Sequence, residues 1–251
     1  MQSPSSSSIR LGVLTVALAL LIAVNTIPAQ CKEALPDGTH YYAIGYWYSA
    51  TNINNQTLGV TGMITVYDNK IKGTRQHILE FVQIIFSDGS WMQIGYQKKK
   101  STGQLVYYYE YFIYSAGDWS GVNPFGSATP GAVPILMVYR ISPSNSEWKW
   151  RAVKDGVKII DKTFPSKYSS GRAEVALESL DLNEDITYND GRGRFTSLKY
   201  YDGSTWKNWN AIKFTNGSGE GGMEGLPDPP YHAMPLDTNA FKTWGDYDAD
   251  P

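Results

Sequence analysis

The sequence contains few of the residues that usually build metal sites and covalent nucleophiles. Cys31 is the only cysteine, so no disulfide can form within the chain. The three histidines, His40, His77 and His232, are far apart, without the spacing of metal ligands, which argues against a structural zinc site. Neither a Gly-x-Ser-x-Gly nor a His-Glu-x-x-His motif is present. These absences argue against the common serine, cysteine and zinc hydrolases, and we expect no cofactor.

Basic charge and long hydrophobic runs are also scarce. Lys and Arg number 22 against 24 Asp and Glu, whereas a nucleic-acid-binding protein typically carries a basic patch. The one long apolar run, Leu11 to Val24, follows Arg10 and precedes Pro28 and Ala29. This order predicts a signal peptide over residues 1–30. A retained membrane anchor is the alternative, but the run is shorter than the ~20 residues that span a bilayer.

Export has consequences for the rest of the chain. We expect a secreted or extracellular protein, in solution or at the cell surface, that is monomeric and has no membrane span after the signal peptide is removed. Cys31 lies close to the predicted cleavage point, where lipid modification is the alternative to a cysteine without a role. Asn55-Gln56-Thr57 and Asn216-Gly217-Ser218 are N-glycosylation sequons, which predict surface loops in an exported glycoprotein.

The composition after residue 30 is typical of an all-β protein. Aromatic residues are abundant, with 18 Tyr, 8 Trp and 8 Phe in the whole chain, and such residues favour strands. Three Asp-Gly pairs, at positions 88, 155 and 202, indicate tight turns. We therefore predict an antiparallel β-sandwich or barrel over residues 38–215, followed by an irregular Gly/Pro-rich tail over 216–251. The predicted strands are Tyr41–Tyr48, Gly59–Tyr67, Ile78–Ser87, Trp91–Gln97, Leu105–Tyr114, Ile135–Ile141, Trp148–Lys154, Val157–Phe164, Arg172–Leu180, Phe195–Tyr201 and Ala211–Phe214.

Three of these strands carry candidate site residues. Alternate side chains of a strand share a face, so Trp91 and Gln93 point the same way, and the adjacent Gly95 is expected to leave open space beside the amide. Glu174 and Glu178 likewise share a face of a later strand. Glu110 is set among aromatic residues, including Tyr109.

In their order, these segments resemble the glutamic peptidases of the eqolisin type. That family has a Leu-Gln-Thr-Gly-aromatic strand, a Trp-Tyr-Glu-Trp-Tyr segment and an Ala-Glu-aromatic-Ile-Ile/Val-Glu strand. The matching segments here are Met92 to Tyr96, Tyr108 to Phe112 and Ala173 to Glu178. The plant neprosin-type peptidases are a more distant resemblance. The family's Trp-x-Gly-x-Asp-Gly segment is reduced here to Asp88-Gly89, which affects the expected substrate pocket.

The resemblance implies a concanavalin-like sandwich of two bent sheets and a metal-free acid endopeptidase acting on polypeptides. Gln93 and Glu178 would hold the attacking water. Glu178 would act as general base and then as general acid, while the amide of Gln93 would orient the water and donate a hydrogen bond to the oxyanion. Trp91, Tyr109, Glu110 and Glu174 would line the substrate site, with Glu174 as the alternative base.

Two other functions remain open at this point. Glu110 and Glu178 could be the carboxylate pair of a glycosidase. The chain could instead be an exported carbohydrate- or surface-binding module, in which Trp119, Trp206 and Trp209 stack on sugar rings and Gln93 and Glu178 have no catalytic role.

Overall fold

The chain folds as two antiparallel β-sheets, and a computed structural model describes residues 41–49, 56–69, 77–99, 101–144, 147–165, 168–179, 193–218 and 231–245. The strands up to position 127 are β1 (Tyr41–Trp47), β2 (Gln56–Thr57), β3 (Gly59–Ile64), β4 (His77–Ile85), β5 (Trp91–Lys99), β6 (Leu105–Ile113), β7 (Asp118–Trp119) and β8 (Asn123–Ser127). The later strands are β9 (Ile135–Ser144), β10 (Glu147–Lys154), β11 (Val157–Pro165), β12 (Gly171–Ser179), β13 (Gly193–Tyr201), β14 (Trp206–Asn208), β15 (Ile212–Ser218), β16 (Tyr231–Asp237) and β17 (Ala240–Gly245).

The two sheets pack face to face as a sandwich. The first sheet has the order β15-β1-β12-β4-β5-β6-β7, with β2 and β8 paired at its borders. The second has the order β11-β10-β9-β3-β13-β17-β16, with β14 paired to β13. Apolar side chains from both sheets fill the space between them, among them Ile94 and Val175 from the first and Val138, Trp150 and Phe195 from the second. The predicted all-β sandwich is confirmed.

The predicted turns explain several of the hairpins. Asp155 and Gly156 both have positive φ, 49° and 79°, and join β10 to β11, as an Asp-Gly hairpin turn requires. At the two other Asp-Gly pairs only the glycine, Gly89 or Gly203, has positive φ.

Two of the sequence-based predictions are wrong for residues that the structure describes. Residues 231–245 were predicted to lie in an irregular tail, but β16 and β17 form a hairpin on the second sheet. Ala240 and Phe241 of this hairpin are buried, and that burial outweighs the weak strand signal of a Pro-containing segment. Asn216, predicted to lie in a loop, lies in β15 at the edge of the first sheet. The predicted signal peptide, Cys31 and Asn55 lie outside the described residues.

Candidate active site

The candidate site lies on the face of the first sheet that points away from the second sheet. A small cluster of buried side chains from this sheet alone covers that face, including Tyr42, Phe81, Tyr108 and Ala176. Val122, from the connection between β7 and β8, packs against the cluster. The polar residues predicted from the sequence are set into this second, smaller apolar layer, so their hydrogen bonds form in a largely water-free environment.

Strand register places four polar residues in one row across this face. Gln93 on β5 is directly opposite Gln83 on β4 and Glu110 on β6. Gln83 is in turn opposite Glu174 on β12. Directly opposed residues of antiparallel strands have their side chains on the same face, and all four side chains are buried. The row therefore has two carboxamides in the middle and one carboxylate at each end.

Hydrogen bonds hold the two ends of the row. At one end Gln83 Nε2 donates to Glu174 Oε2 at 2.8 Å, and Arg172 Nε donates to Glu174 Oε1 at 2.5 Å. At the other end Gln93 Nε2 donates to Glu110 Oε2 at 2.9 Å, and Trp119 Nε1 donates to Glu110 Oε1 at 2.6 Å. Both oxygens of each carboxylate thus accept at least one hydrogen bond.

Glu178 lies on the same face as Gln93 but not in the same row. On β4 it is opposite Leu79, which is opposite Gln97 on β5. Glu178 is thus two strands from Gln93 and four residues along, which in an ideal sheet corresponds to about 10 Å across and about 13 Å along. Gln93 and Glu178 therefore share a face of the first sheet, but the residue of β12 that is level with Gln93 is Glu174, not Glu178.

Tyr108 contacts Gln93 and is affected by the charge of Glu178. It is opposite Gly95 on β5, between the rows of Gln93 and Gln97. Its hydroxyl accepts a hydrogen bond from Gln93 Nε2 at 3.2 Å. Burial raises the pKa of Tyr108 well above its ordinary value, and the negative charges of Glu110 and Glu178 raise it further. The hydroxyl therefore lies within electrostatic range of Glu178 while it contacts Gln93.

Gly95 has a different role from the one expected. A β-carbon at this position would collide with the carbonyl oxygen of Glu80 and lie 2.7 Å from the Cβ of Phe81. The glycine thus permits a close approach of β4 and β5, and no open space is left beside the amide of Gln93 on that side.

Five of the six predicted residues share one face of the first sheet, but Trp91 and Glu178 lie in other rows than Gln93. Trp91 shares the face with Gln93 and packs near Phe112, with ring centroids 6.4 Å apart. Tyr109 is opposite Ile94, on the other face of the sheet from Glu110. The site therefore does not include Tyr109.

Three members of the site were missed by the sequence reasoning: Gln83, Tyr108 and Arg172. A sequence signal existed for Gln83, because it interrupts the apolar run from Ile78 to Phe86 and such a residue needs a polar partner once buried. Tyr108 and Arg172 carried no comparable signal, since only the strand register shows which carboxyl or amide each one meets.

The described residues show neither a metal-binding cluster nor a membrane-spanning helix. They contain no group of three or more His, Cys, Asp or Glu side chains suited to hold a metal ion. None of the helical structure within these ranges is long and apolar enough to cross a bilayer.

These features define a β-sandwich protein with a buried carboxylate–carboxamide network on the outer face of one sheet. Among solved structures, the chain is similar to scytalido-glutamic peptidase in complex with a peptide-based transition-state analogue. The TM-score is 0.51 and the identity 12%, over 83% of this chain and 98% of that one. This likeness supports the sandwich fold.

Two further structures are similar at lower scores. Scytalido-glutamic peptidase with a transition-state analogue inhibitor gives a TM-score of 0.47 at 11% identity, covering 82% of this chain and 98% of that chain. SCP-B, a member of the eqolisin family in complex with the tripeptide Ala-Ile-His, gives 0.45 at 11% identity, covering 83% and 98%. No protein-family profile and no curated protein sequence matches the chain.

Proposed function

We propose that this chain is a secreted endopeptidase that hydrolyses peptide bonds in acid with a water molecule held by Glu178 and Gln93. The fold is that of a sandwich similar to a glutamic peptidase. The observation that carries the proposal is the common face of Gln93 and Glu178, with the Tyr108 hydroxyl bonded to the first and acted on by the charge of the second. A carboxylate and a carboxamide are suited to bind and polarise water. Because the register separates the two backbones, a shared water requires both side chains to extend along the face toward the Tyr108 hydroxyl.

The other two carboxylates of this face are poorly suited to act as the general base. Arg172 and Gln83 occupy the oxygens of Glu174, and Trp119 and Gln93 occupy those of Glu110. A carboxylate whose lone pairs already accept strong hydrogen bonds is a poor acceptor for the proton of a water molecule. Glu174 and Glu110 then serve to fix the two ends of the row.

The reaction proceeds in two steps. In the first, the water oxygen attacks the peptide carbonyl carbon while the Glu178 carboxylate takes one water proton, and the carbonyl becomes a tetrahedral oxyanion. In the second, the oxyanion re-forms the carbonyl, the C–N bond breaks, and Glu178 returns the proton to the leaving nitrogen. The products are a carboxylic acid and an amine, and Glu178 is again a carboxylate. Because Glu178 must be ionised at the start yet able to give back a proton, the rate is expected to be highest in acid.

Substrate must gain entry to a site that is closed in the structure. Gln93 and Glu178 expose only 3% and 5% of their surface, so a peptide bond reaches them only when the groups above the face move apart. Val122 is one such group among the described residues. Side-chain or loop displacement of this kind commonly accompanies substrate binding.

The test is Glu178→Gln, with Glu147→Gln as the matched control because Glu147 is an exposed carboxylate on β10 of the other sheet. Degradation of a denatured protein is measured at about pH 3–4, a range set by the ordinary glutamate pKa, with and without a chelator. We expect Glu178→Gln to abolish cleavage with an unchanged melting temperature, and Glu147→Gln to cleave like the wild type. Full activity in Glu178→Gln contradicts the proposal.

The same variants, together with Glu110→Gln, distinguish the two alternative functions. Hydrolysis of polysaccharides, lost in both Glu110→Gln and Glu178→Gln, would indicate a glycosidase. Sugar binding without hydrolysis would indicate a carbohydrate-binding module. For such a module Trp209 is unsuited as a stacking platform, since it is 1% exposed and belongs to the core between the sheets.

A further inference from the structure

Both N–H groups of the Gln93 amide donate to other side chains of the protein. A carboxamide nitrogen carries two N–H donors. Gln93 Nε2 uses one toward Glu110 Oε2 at 2.9 Å and the other toward the Tyr108 hydroxyl at 3.2 Å. Its donors are therefore committed to the protein, and the amide has no proton left for the oxyanion that forms when water attacks a peptide carbonyl. Within the described residues, no hydrogen bond uses Gln93 Oε1, so the carbonyl oxygen remains suited to orient the water.

The Tyr108 hydroxyl has the donor that Gln93 lacks. Its oxygen accepts from Gln93 Nε2, so its own proton points elsewhere. In the described part of the chain, no acceptor for that proton is found. Burial, followed by the charges of Glu110 and Glu178, raises the pKa of Tyr108 well above its usual range. The hydroxyl consequently keeps its proton at every pH at which a carboxylate base could work.

The position of Tyr108 suits a group that meets the reacting carbonyl. It is opposite Gly95, in the row between Gln93 and the row that contains Gln97, Leu79 and Glu178. Position 95 is the cross-strand partner of Tyr108, and the close packing of β4 against β5 excludes a side chain there. Along the strand direction the Tyr108 row thus lies between the rows of the proposed catalytic pair, while β6 itself lies on the side of β5 away from Glu178. The hydroxyl, bonded to Gln93 and within range of the Glu178 charge, is the donor available to a tetrahedral centre on this face.

We infer that Tyr108 is a catalytic residue whose hydroxyl donates the hydrogen bond that stabilises the oxyanion, while Gln93 positions that hydroxyl and the water. This assignment rests on the proposed peptidase function and changes the role of Gln93 within it. A neutral phenol is a stronger hydrogen-bond donor toward an oxyanion than toward a ground-state carbonyl, so its contribution appears mainly in the transition state.

The experiment compares Tyr108→Phe with Tyr107→Phe in the full-length protein, using a fluorogenic peptide at acid pH. Tyr107 is the matched control because it is the neighbouring buried tyrosine on the opposite face of β6, next to Lys154. Loss of one oxyanion donor typically lowers kcat about 100- to 1,000-fold. We expect that loss in Tyr108→Phe with a KM close to the wild-type value and an unchanged acid limb of the pH profile. Tyr107→Phe should retain the wild-type kcat.

A binding measurement separates catalysis from structure. A peptide analogue with a tetrahedral hydroxyl-bearing carbon at the scissile position should bind Tyr108→Phe about 100- to 1,000-fold more weakly, while an uncleaved product peptide binds both proteins equally. Equal weakening of both ligands would indicate a structural role and overturn the inference. If Tyr108→Phe does not fold, a fluorotyrosine at position 108 keeps the size and strengthens the donor, and an unaltered kcat then overturns it.

The outcomes also separate this inference from the proposed function. An active wild type, an inactive Glu178→Gln and a fully active Tyr108→Phe would retain the peptidase and remove Tyr108 from its mechanism. A wild type without peptidase activity from pH 2 to pH 8 would overturn both.

Discussion

At the scale of single residues, the two glutamates of β12 have different environments despite sharing a face. Glu174 is completely buried and bonded to Arg172 and Gln83, whereas Glu178 lies four residues farther along, toward Tyr42 and Leu79. Burying a carboxylate is costly unless a charged partner and hydrogen bonds compensate. Glu174 is therefore expected to matter for stability and Glu178 for activity.

The stability role of Glu174 can be measured through its partner. Arg172→Met leaves the Glu174 carboxylate buried without its counter-charge, and breaking such a pair typically costs about 3–5 kcal/mol. Arg151→Met is the matched control, because the Arg151–Asp161 pair of the second sheet is more exposed and such pairs contribute about 1 kcal/mol or less. Urea unfolding measures both changes. Equal, small losses in the two variants would show that the Arg172–Glu174 pair is not needed for stability.

At the scale of elements, the β16–β17 hairpin joins the second sheet to the first. Phe241 on β17 is fully buried, and its ring is stacked on Phe195 at a centroid distance of 4.8 Å. The same ring fills the space over Gly45 of β1, where a β-carbon would lie 2.5 Å from Phe241 Cε1. The hairpin, whose strand signal in the sequence is weak, is thus held in place by the large side chain of Phe241, which has room because Gly45 carries no side chain.

Truncation of that ring should destabilise the whole sandwich. Phe241→Ala removes a buried aromatic side chain that both sheets contact, and such changes typically cost about 3–5 kcal/mol. Leu236→Ala, on the partner strand of the same hairpin, is the control because Leu236 is 45% exposed, and a change within about 0.5 kcal/mol is expected there. Chemical denaturation measures the free energy of unfolding. If Phe241→Ala unfolds like the wild type, the hairpin does not contribute to the core.

The elements that could be predicted from the sequence are those whose pattern is local. The strands that became β5, β6, β10 and β12 have aromatic or β-branched residues and clear ends, such as Asp155-Gly156. The hairpin of β16 and β17 could not be predicted, because its strand character depends on contacts with Phe195 and Gly45, distant in sequence. The alternation of side chains predicts which residues of one strand share a face, but it does not predict how neighbouring strands align. Only the observed register shows that Glu174 is level with Gln93 and that Tyr109 lies on the other face of the sheet.

At the scale of the whole molecule, one buried acid links stability to pH. Glu80 lies on the inner face of β4, where its Oε1 accepts hydrogen bonds from the Tyr96 hydroxyl at 2.5 Å and from Asn69 Nδ2 at 3.3 Å. Burial raises the pKa of Glu80 to about 7, although both hydrogen bonds act in the opposite direction. No positive charge faces it among these partners. The group therefore favours its protonated form inside the sandwich.

The sign of the pH dependence follows from that shift. A carboxyl whose pKa is higher in the folded than in the unfolded state binds more protons when folded, so its stabilising contribution is complete below about pH 4.5 and is lost as the pH rises to about 7. A shift of this size corresponds to about 3 kcal/mol. Asp155 and Asp161 act in the other direction, since their pKa values are lowered, but their contributions change only below about pH 4.

The protein should accordingly be more stable near pH 5 than near pH 8, which suits the acid range of the proposed reaction. Urea unfolding at pH 5, 6, 7 and 8 should show the free energy of unfolding falling by about 3 kcal/mol across the series. In Glu80→Gln the side chain keeps its shape but cannot ionise, so most of that slope should disappear. A wild-type slope in Glu80→Gln would assign the pH dependence to other groups. A flat profile in the wild type would show that water or a rearranged partner compensates the Glu80 charge within the core.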